Sequence, residues 1–197
     1  MTPKNKQNRQ KEKVMNNTNE NKTSDIYLAH VDFETGRTQS FQEHTDNVTS
    51  YAKSICPMGE IQKLVEAAAL FHDAGKLSDD VQKDFQDILK KGDQAHRNDL
   101  DHSTAGGRML WKMMRQKTAA ELLSTVVYSH HGISDCIDFE SGCTLQERRA
   151  EKECQEDIVK ERFFQIFDKE KIQKQNQEFS MEGLRVLAFT YRPLPEK

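Results

Sequence analysis

Apolar side chains recur along this chain at helical spacing. Phe41, His44, Val48, Tyr51 and Ile55 fall at i, i+3, i+7, i+10 and i+14, one stripe of an amphipathic helix with Ser40 as its N-cap. Ile61, Leu64, Val65, Ala68, Ala69 and His72 repeat the pattern, and Gly75 supplies a stop. Ser78 can cap a third helix with Val81, Phe85, Ile88 and Leu89 inward. A fourth starts near Ser103 and carries Met109, Leu110 and Met113. A fifth places Ala119, Leu122, Leu123, Val126 and His130 on one side and ends at Gly132.

Between these stretches, residues 92–101 and 133–143 read as loops, and a charged helical region follows to about residue 178. Ile26 to Val31 is a short apolar segment of ambiguous type. The Gly106-Gly107 pair is a poor helix former, acceptable where another backbone packs closely. The predicted fold class is all-α, a compact orthogonal helical bundle. Residues 1–24 are rich in Asn, Lys and Gln with almost no large apolar side chains, so they cannot offset ordering entropy and are expected to be a disordered tail. The remaining residues, 25–197, make one domain with enough length to bury roughly 70% of its unfolded surface.

Composition sharpens this only in places. With 35% hydrophobic and 31% charged residues, the chain fits a helix-rich protein with a modest interior. It has no apolar run near the ~20 residues that cross a bilayer and no signal-peptide core, which predicts a cytoplasmic protein without a membrane partner. Cys56, Cys136, Cys143 and Cys154 lack close paired spacing and read as free thiols. A net charge of −3 gives no basic surplus for holding nucleic acid unaided, so a nucleic-acid substrate would be delivered by a partner.

The chemistry lies in the histidines. His72-Asp73-Ala74-Gly75-Lys76 closes one apolar helix, Asp101-His102-Ser103 precedes another, and His130-His131-Gly132 closes a third. A lone histidine on an apolar stripe, such as His44, is usually a hydrogen-bonded core residue. Adjacent residues within a helix point about 100° apart. Two adjacent His/Asp or His/His pairs at helix ends are therefore hard to explain as packing, whereas a dinuclear metal centre can be touched from two directions, with a carboxylate bridging ions ~3.5–4 Å apart. Imidazole-rich donors favour Mn, Fe, Co, Ni or Zn over Mg or Ca. This inventory points to metal-activated water attacking a phosphate ester.

In this order, the residues resemble the HD superfamily of metal-dependent phosphohydrolases. More narrowly, Tyr27 to His30, Gln39 to His44, His72 to Lys76, Asp101 to Gly106 and Ser129 to Gly132 resemble the HD nuclease of type I CRISPR interference, a domain fused or partnered to a DExH-type helicase. The resemblance covers roughly residues 26–135. It implies a helical nuclease domain that degrades single-stranded DNA delivered by a helicase and a crRNA-guided surveillance complex, using two divalent transition-metal ions. By position, His44, His72 and Asp73 would hold the first ion; Asp73, His102, His130 and His131 would hold the second. Asp73 and Lys76 are the expected catalytic residues, with Lys76 meeting a phosphate oxygen; a solvated helix-end cation is the alternative. Ser103 is expected to be an N-cap, His30 a matched position that does not ligate, and His96 a solvated loop residue.

One element of the family pattern is missing. The family closes its first site with an aspartate in a late segment resembling Ser-x-Leu-x-Asp-Ala-Asp, and none occurs here; Asp157, Asp168 and Glu182 lack that context. Truncation is the simplest account, and it predicts a weakened first site with reduced or absent activity. Two other readings stay open: an HD phosphohydrolase acting on small nucleotides, and a degenerate subunit that docks on a helicase without cutting.

Overall fold

Two serines mark where extended backbone turns into helix. Ser40 Oγ accepts the Glu43 amide at 3.2 Å and Ser78 Oγ accepts the Val81 amide at 3.4 Å, so both expected caps form. The computed structural model describes residues 27–56, 59–92, 98–133, 136–138 and 142–175. The N-terminal tail, His96 and Glu182 lie outside them. Strands β1 (Leu28–Val31) and β2 (Thr38–Ser40) form an antiparallel hairpin that leads into helices α1 (Phe41–Ile55) and α2 (Gly59–Phe71). A 3₁₀ turn (Ala74–Leu77) then connects to α3 (Asp79–Lys91), followed by α4 (Thr104–Met113), α5 (Lys117–Tyr128), α6 (Leu145–Ala150) and α7 (Glu156–Ile166). Helical backbone runs on over 169–175.

The all-α expectation holds. Helix α1 packs on α2, α4 on α5, and α2 on α5, while α7 lies on the 3₁₀ turn. Their shared core contains Phe41, Phe71, Leu77, Leu110, Val127, Val159 and Phe163, all fully buried, with the Phe71 and Phe163 rings stacked at 4.9 Å. Each such side chain contributes about 1.5–3 kcal/mol through burial. Among the described residues no helix is long and apolar enough to cross a membrane.

Several details differ from the periodic reading. Tyr51 and Ile55 are 66% and 60% exposed, and Thr45 and Ala52 turn inward instead. A repeat of seven drifts by about 20° per heptad on a 3.6-residue helix, so the far end of that stripe leaves the core. Helix α5 is rotated in the same manner: Ala120, Leu123, Ser124, Val127 and Tyr128 are buried, whereas Leu122 and Val126 are exposed. Leu89 is exposed as well. The ambiguous apolar segment is strand β1. Within the expected 133–143 loop, Ile137–Asp138 pairs antiparallel with Gly142–Cys143. The charged region is broken before α7 by Gln155, whose φ of 46° is left-handed.

Close packing of α4 depends on its two glycines. A side chain at Gly106 would overlap the Phe71 carbonyl oxygen, and one at Gly107 would overlap the Tyr128 ring. The expected close backbone approach is therefore real. The next residue does work that periodicity did not suggest. Buried Arg108 donates from Nε and Nη2 to the Arg148 carbonyl at 3.1 and 2.6 Å, and from Nη2 to the Lys152 carbonyl at 2.7 Å. It thereby closes the C-terminal end of α6, whose carbonyls have no helical partner. Replacing Arg108 with methionine should cost about 2–3 kcal/mol, because charged donors are lost from buried carbonyls. Lysine should recover only part of that, since one ammonium cannot span both acceptors. Urea melts of the two variants check this; a loss under ~0.5 kcal/mol for the methionine variant would contradict it.

Candidate metal centre

Asp73 sits just past the end of α2, where the chain has left the helix and begins the 3₁₀ turn. Its carboxylate is the point on which the histidines converge. Oδ2 lies 2.8 Å from His44 Nε2, 3.3 Å from His72 Nε2 and 2.8 Å from Lys76 Nζ. Oδ1 lies 3.5 Å from His102 Nε2 and 3.2 Å from His130 Nε2. The two oxygens thus face two different sets of rings. His44 and His72 approach each other to 3.2 Å between Nε2 atoms, and His102 and His131 to 2.6 Å. Asp73, His102, His130 and His131 form one group whose donor atoms lie within 4.8 Å of one another; His30, His44 and Asp73 form a second.

The local backbone explains this convergence. His72 follows α2 directly, and His130 and His131 follow α5 with one residue between, so both adjacent pairs lie in turns rather than within helices. Gly75 lets the 3₁₀ turn touch the strand of chain before α4: its amide donates to the His102 carbonyl at 3.1 Å, and a side chain there would overlap the His102 backbone. Three ring orientations are fixed through Nδ1. A carbonyl only accepts, so Nδ1–H donates from His72 to Ala69 at 2.6 Å, from His130 to Val127 at 2.8 Å and from His102 to Leu100 at 3.0 Å.

With Nδ1–H committed to a carbonyl, these rings in their neutral form aim an Nε2 lone pair at the carboxylate. Lone pairs facing a carboxylate repel unless a positive species lies among them. His130 Nε2 bears this out: it is buried and makes no hydrogen bond, despite its 3.2 Å approach to Oδ1. An orphaned buried acceptor within an imidazole-carboxylate cage fits a divalent transition ion, and the carbonyl-anchored Nδ1–H groups are the usual outer support for histidine ligands.

Charge and burial compete throughout the cluster. Burial would push the Asp73 carboxyl up, but His130, His44 and His72 around it outweigh burial and hold it far below the usual carboxylate range. Burial pulls His102 below its ordinary value. It pulls His130 the same way, yet the Asp73 carboxylate and the Val127 carbonyl outweigh it and leave that ring raised.

Two expectations need correction. Lys76 is not a solvated helix-end cation: it is 5% exposed and ion-paired with Asp73. Ser103 occupies the N-cap position of α4, but its side chain makes no cap bond. Asp101 does that work, accepting the Ser103 and Thr104 amides at 3.0 and 3.1 Å and the Thr104 hydroxyl at 2.6 Å. Burial pushes the Asp101 carboxyl up, and Lys152 and Thr104 overcome it, so it stays well below its normal value. Its second oxygen pairs with Lys152 at 2.5 Å and Arg148 at 3.8 Å. The signal was in the sequence, as an acidic residue two and three positions before a helix start. Asp157 on α7 and Asp168, which accepts the Lys171 amide, belong to neither donor group.

Beside the rings opens a cleft of 490 Å³. Its walls include Lys76, His102 and His131 from the cluster, apolar Val81, Phe85 and Leu100, and the cations Arg148 and Lys152. A family model described as "Cas3, HD domain" matches residues 8–189. No curated protein and no solved structure matches the chain.

Proposed function

Because the chain belongs to the Cas3 HD-domain family, a family of metal-dependent nucleases of CRISPR systems, we propose that it hydrolyses the phosphodiester bonds of single-stranded DNA at two metal ions. The observation that carries this reading is the split of the Asp73 carboxylate, with one oxygen toward His44 and His72 and the other toward His102 and His130. His44, His72 and Asp73 would hold one ion, and Asp73, His102, His130 and His131 the other. Bound there, divalent ions supply water activated near neutral pH and offset charge building on the phosphate oxygens.

The protein's own groups do the rest. Asp73 stays ionised and is shared between the two sets. The Ala69, Leu100 and Val127 carbonyls fix three rings so that their Nε2 atoms face inward. Lys76 places a buried cation against Asp73, close enough to turn toward a phosphate oxygen when the carboxylate is otherwise engaged. Ser103 is tied to Asp101 and to Arg148, which donates at 2.9 Å, so it is not available as a nucleophile. Arg148 and Lys152 line the approach to His102 and His131, where Asp101 pairs with both and Asp84 and Asp99 add further acidic groups, so the cleft has no positive surplus of its own. A formal charge of −3 gives no basic surplus for holding the strand unaided, and delivery by a helicase partner within a crRNA-guided complex is part of this proposal.

A small-nucleotide phosphohydrolase is the second reading, favoured by the apolar wall of Val81, Phe85 and Leu100 in the same cleft. Incubating the chain with Mn²⁺ or Co²⁺ and either single-stranded DNA or deoxynucleotides separates the two. We expect cleavage of the DNA with little release of phosphate from nucleotides, and much weaker activity with Mg²⁺ alone. Nucleotide turnover with intact DNA would transfer the assignment to the second reading.

A further inference from the structure

We propose that His30, on the hairpin, is a protein ligand of the ion held by His44, His72 and Asp73, an inference that rests on the metal-centre reading above. The donor atoms of His30, His44 and Asp73 all lie within 4.8 Å of one another, and the His30 and His44 rings meet edge-on at 4.6 Å between centroids. Small side-chain adjustments bring such donors around a common ion with bonds of ~2.0–2.1 Å.

The strand itself directs His30 there. Plain alternation would put His30 on the same face as Leu28, which packs with Val81, Phe85 and Ile88 against α3. The pairing instead slips between Leu28, opposite Ser40, and His30, opposite Gln39. The extra residue, Ala29, enters the main core, and the strand re-aims its next side chain. Bulges do this next to active sites.

Strand β1 is also braced against the turn that carries Asp73. The Gln82 side chain accepts the Leu28 amide at 3.0 Å, donates to the Leu28 carbonyl at 2.8 Å, and donates to the Lys76 carbonyl at 2.6 Å. The Phe41 amide donates to the Tyr27 carbonyl at 2.7 Å, holding the start of α1, and hence His44, to the same strand. The segments that carry His30, His44 and Asp73 are therefore tied together through the Gln82 side chain and the Phe41–Tyr27 backbone bond. His30 is exposed while the other donors are largely covered, which puts it at the outer edge of this ion. It supplies the additional donor that the sequence pattern left wanting.

The test is metal titration of the full chain in the unaltered protein, His30→Ala and His30→Gln. Calorimetry with Mn²⁺ and the visible absorption of bound Co²⁺ are the two readouts. We expect the unaltered protein to take up two ions, and both variants to bind one of them about 10-fold or more weakly, with an altered Co²⁺ spectrum and the other ion unaffected. Metal-free melting temperatures unchanged by either substitution would assign the loss to a ligand rather than to the hairpin. Two ions bound as tightly and with the same spectrum in both variants would overturn the role of His30 alone. No ion bound by the unaltered protein would overturn the metal-centre reading itself.

Discussion

Asp73→Ala is expected to abolish uptake of both ions and all metal-dependent DNA cleavage. A variant lacking any one histidine loses one donor from one set. Loss of Asp73 removes a donor from both, because Oδ2 serves His44 and His72 while Oδ1 serves His102 and His130. The substitution also strands Lys76, whose Nζ lies 2.8 Å from Oδ2 with both side chains only 6% exposed. An uncompensated buried charge costs about 3–5 kcal/mol, so the metal-free variant should also be less stable by a few kcal/mol. Elemental analysis of the purified variant, a nicking assay in Mn²⁺ and a urea melt read the three effects separately. Full Mn²⁺-dependent cleavage by this variant would remove the assignment of the site.

Gly75→Ala is expected to damage the centre without touching a donor atom. The added carbon would overlap the carbonyl oxygen, carbonyl carbon and Cα of His102, all backbone atoms that cannot swing aside. The turn and the His102 segment must separate, losing the Gly75 amide to His102 carbonyl bond of 3.1 Å. His102 Nε2, at 3.5 Å from Oδ1, would then move out of reach. Overpacking and a lost hydrogen bond together amount to about 3 kcal/mol, which lowers the melting temperature of a chain this size by about 10 °C. Gly59→Ala is the control, since nothing lies within 4 Å of a carbon added there. Equal melting curves and equal metal stoichiometry for the two variants would show that the close approach is not needed.

Much of this site could be read from the chain because its residues come in local motifs. His72-Asp73 and His130-His131 announce helix ends, Gly75 reads as a stop, and the Gly106-Gly107 pair announces a close backbone contact. Their convergence on one carboxylate is long-range: the adjacent pairs suggested a shared centre, and the assignment of each donor to one ion came through the family resemblance. What escaped was set by tertiary packing. Strand β2 is Thr38-Gln39-Ser40, a polar run with no apolar alternation, so the hairpin left no periodic trace. His30 fell with it, because a one-residue slip in register decides which face a strand side chain takes. Leu122 and Val126 belong to an apolar helix whose rotation is fixed by Tyr128 against Gly107, a contact periodicity cannot assign. For Lys76 the solvated alternative stayed open beside the phosphate-contacting one because charged side chains are usually exposed; the buried carboxylate three residues earlier brings it inside.

Two residues that tie α7 and its N-cap to the 3₁₀ turn and the first turn of α3 bear on where this domain can be cut. Gln155 accepts the Asp79 amide at 2.7 Å and donates to the Asp80 carboxylate at 2.8 Å, while Arg162 donates to the Leu77 carbonyl at 2.7 Å. A recombinant fragment ending shortly after His131 would retain all the donors and still lose the buttress beneath the segment that orients them. The smallest autonomous unit therefore extends at least through α7, well past the last histidine.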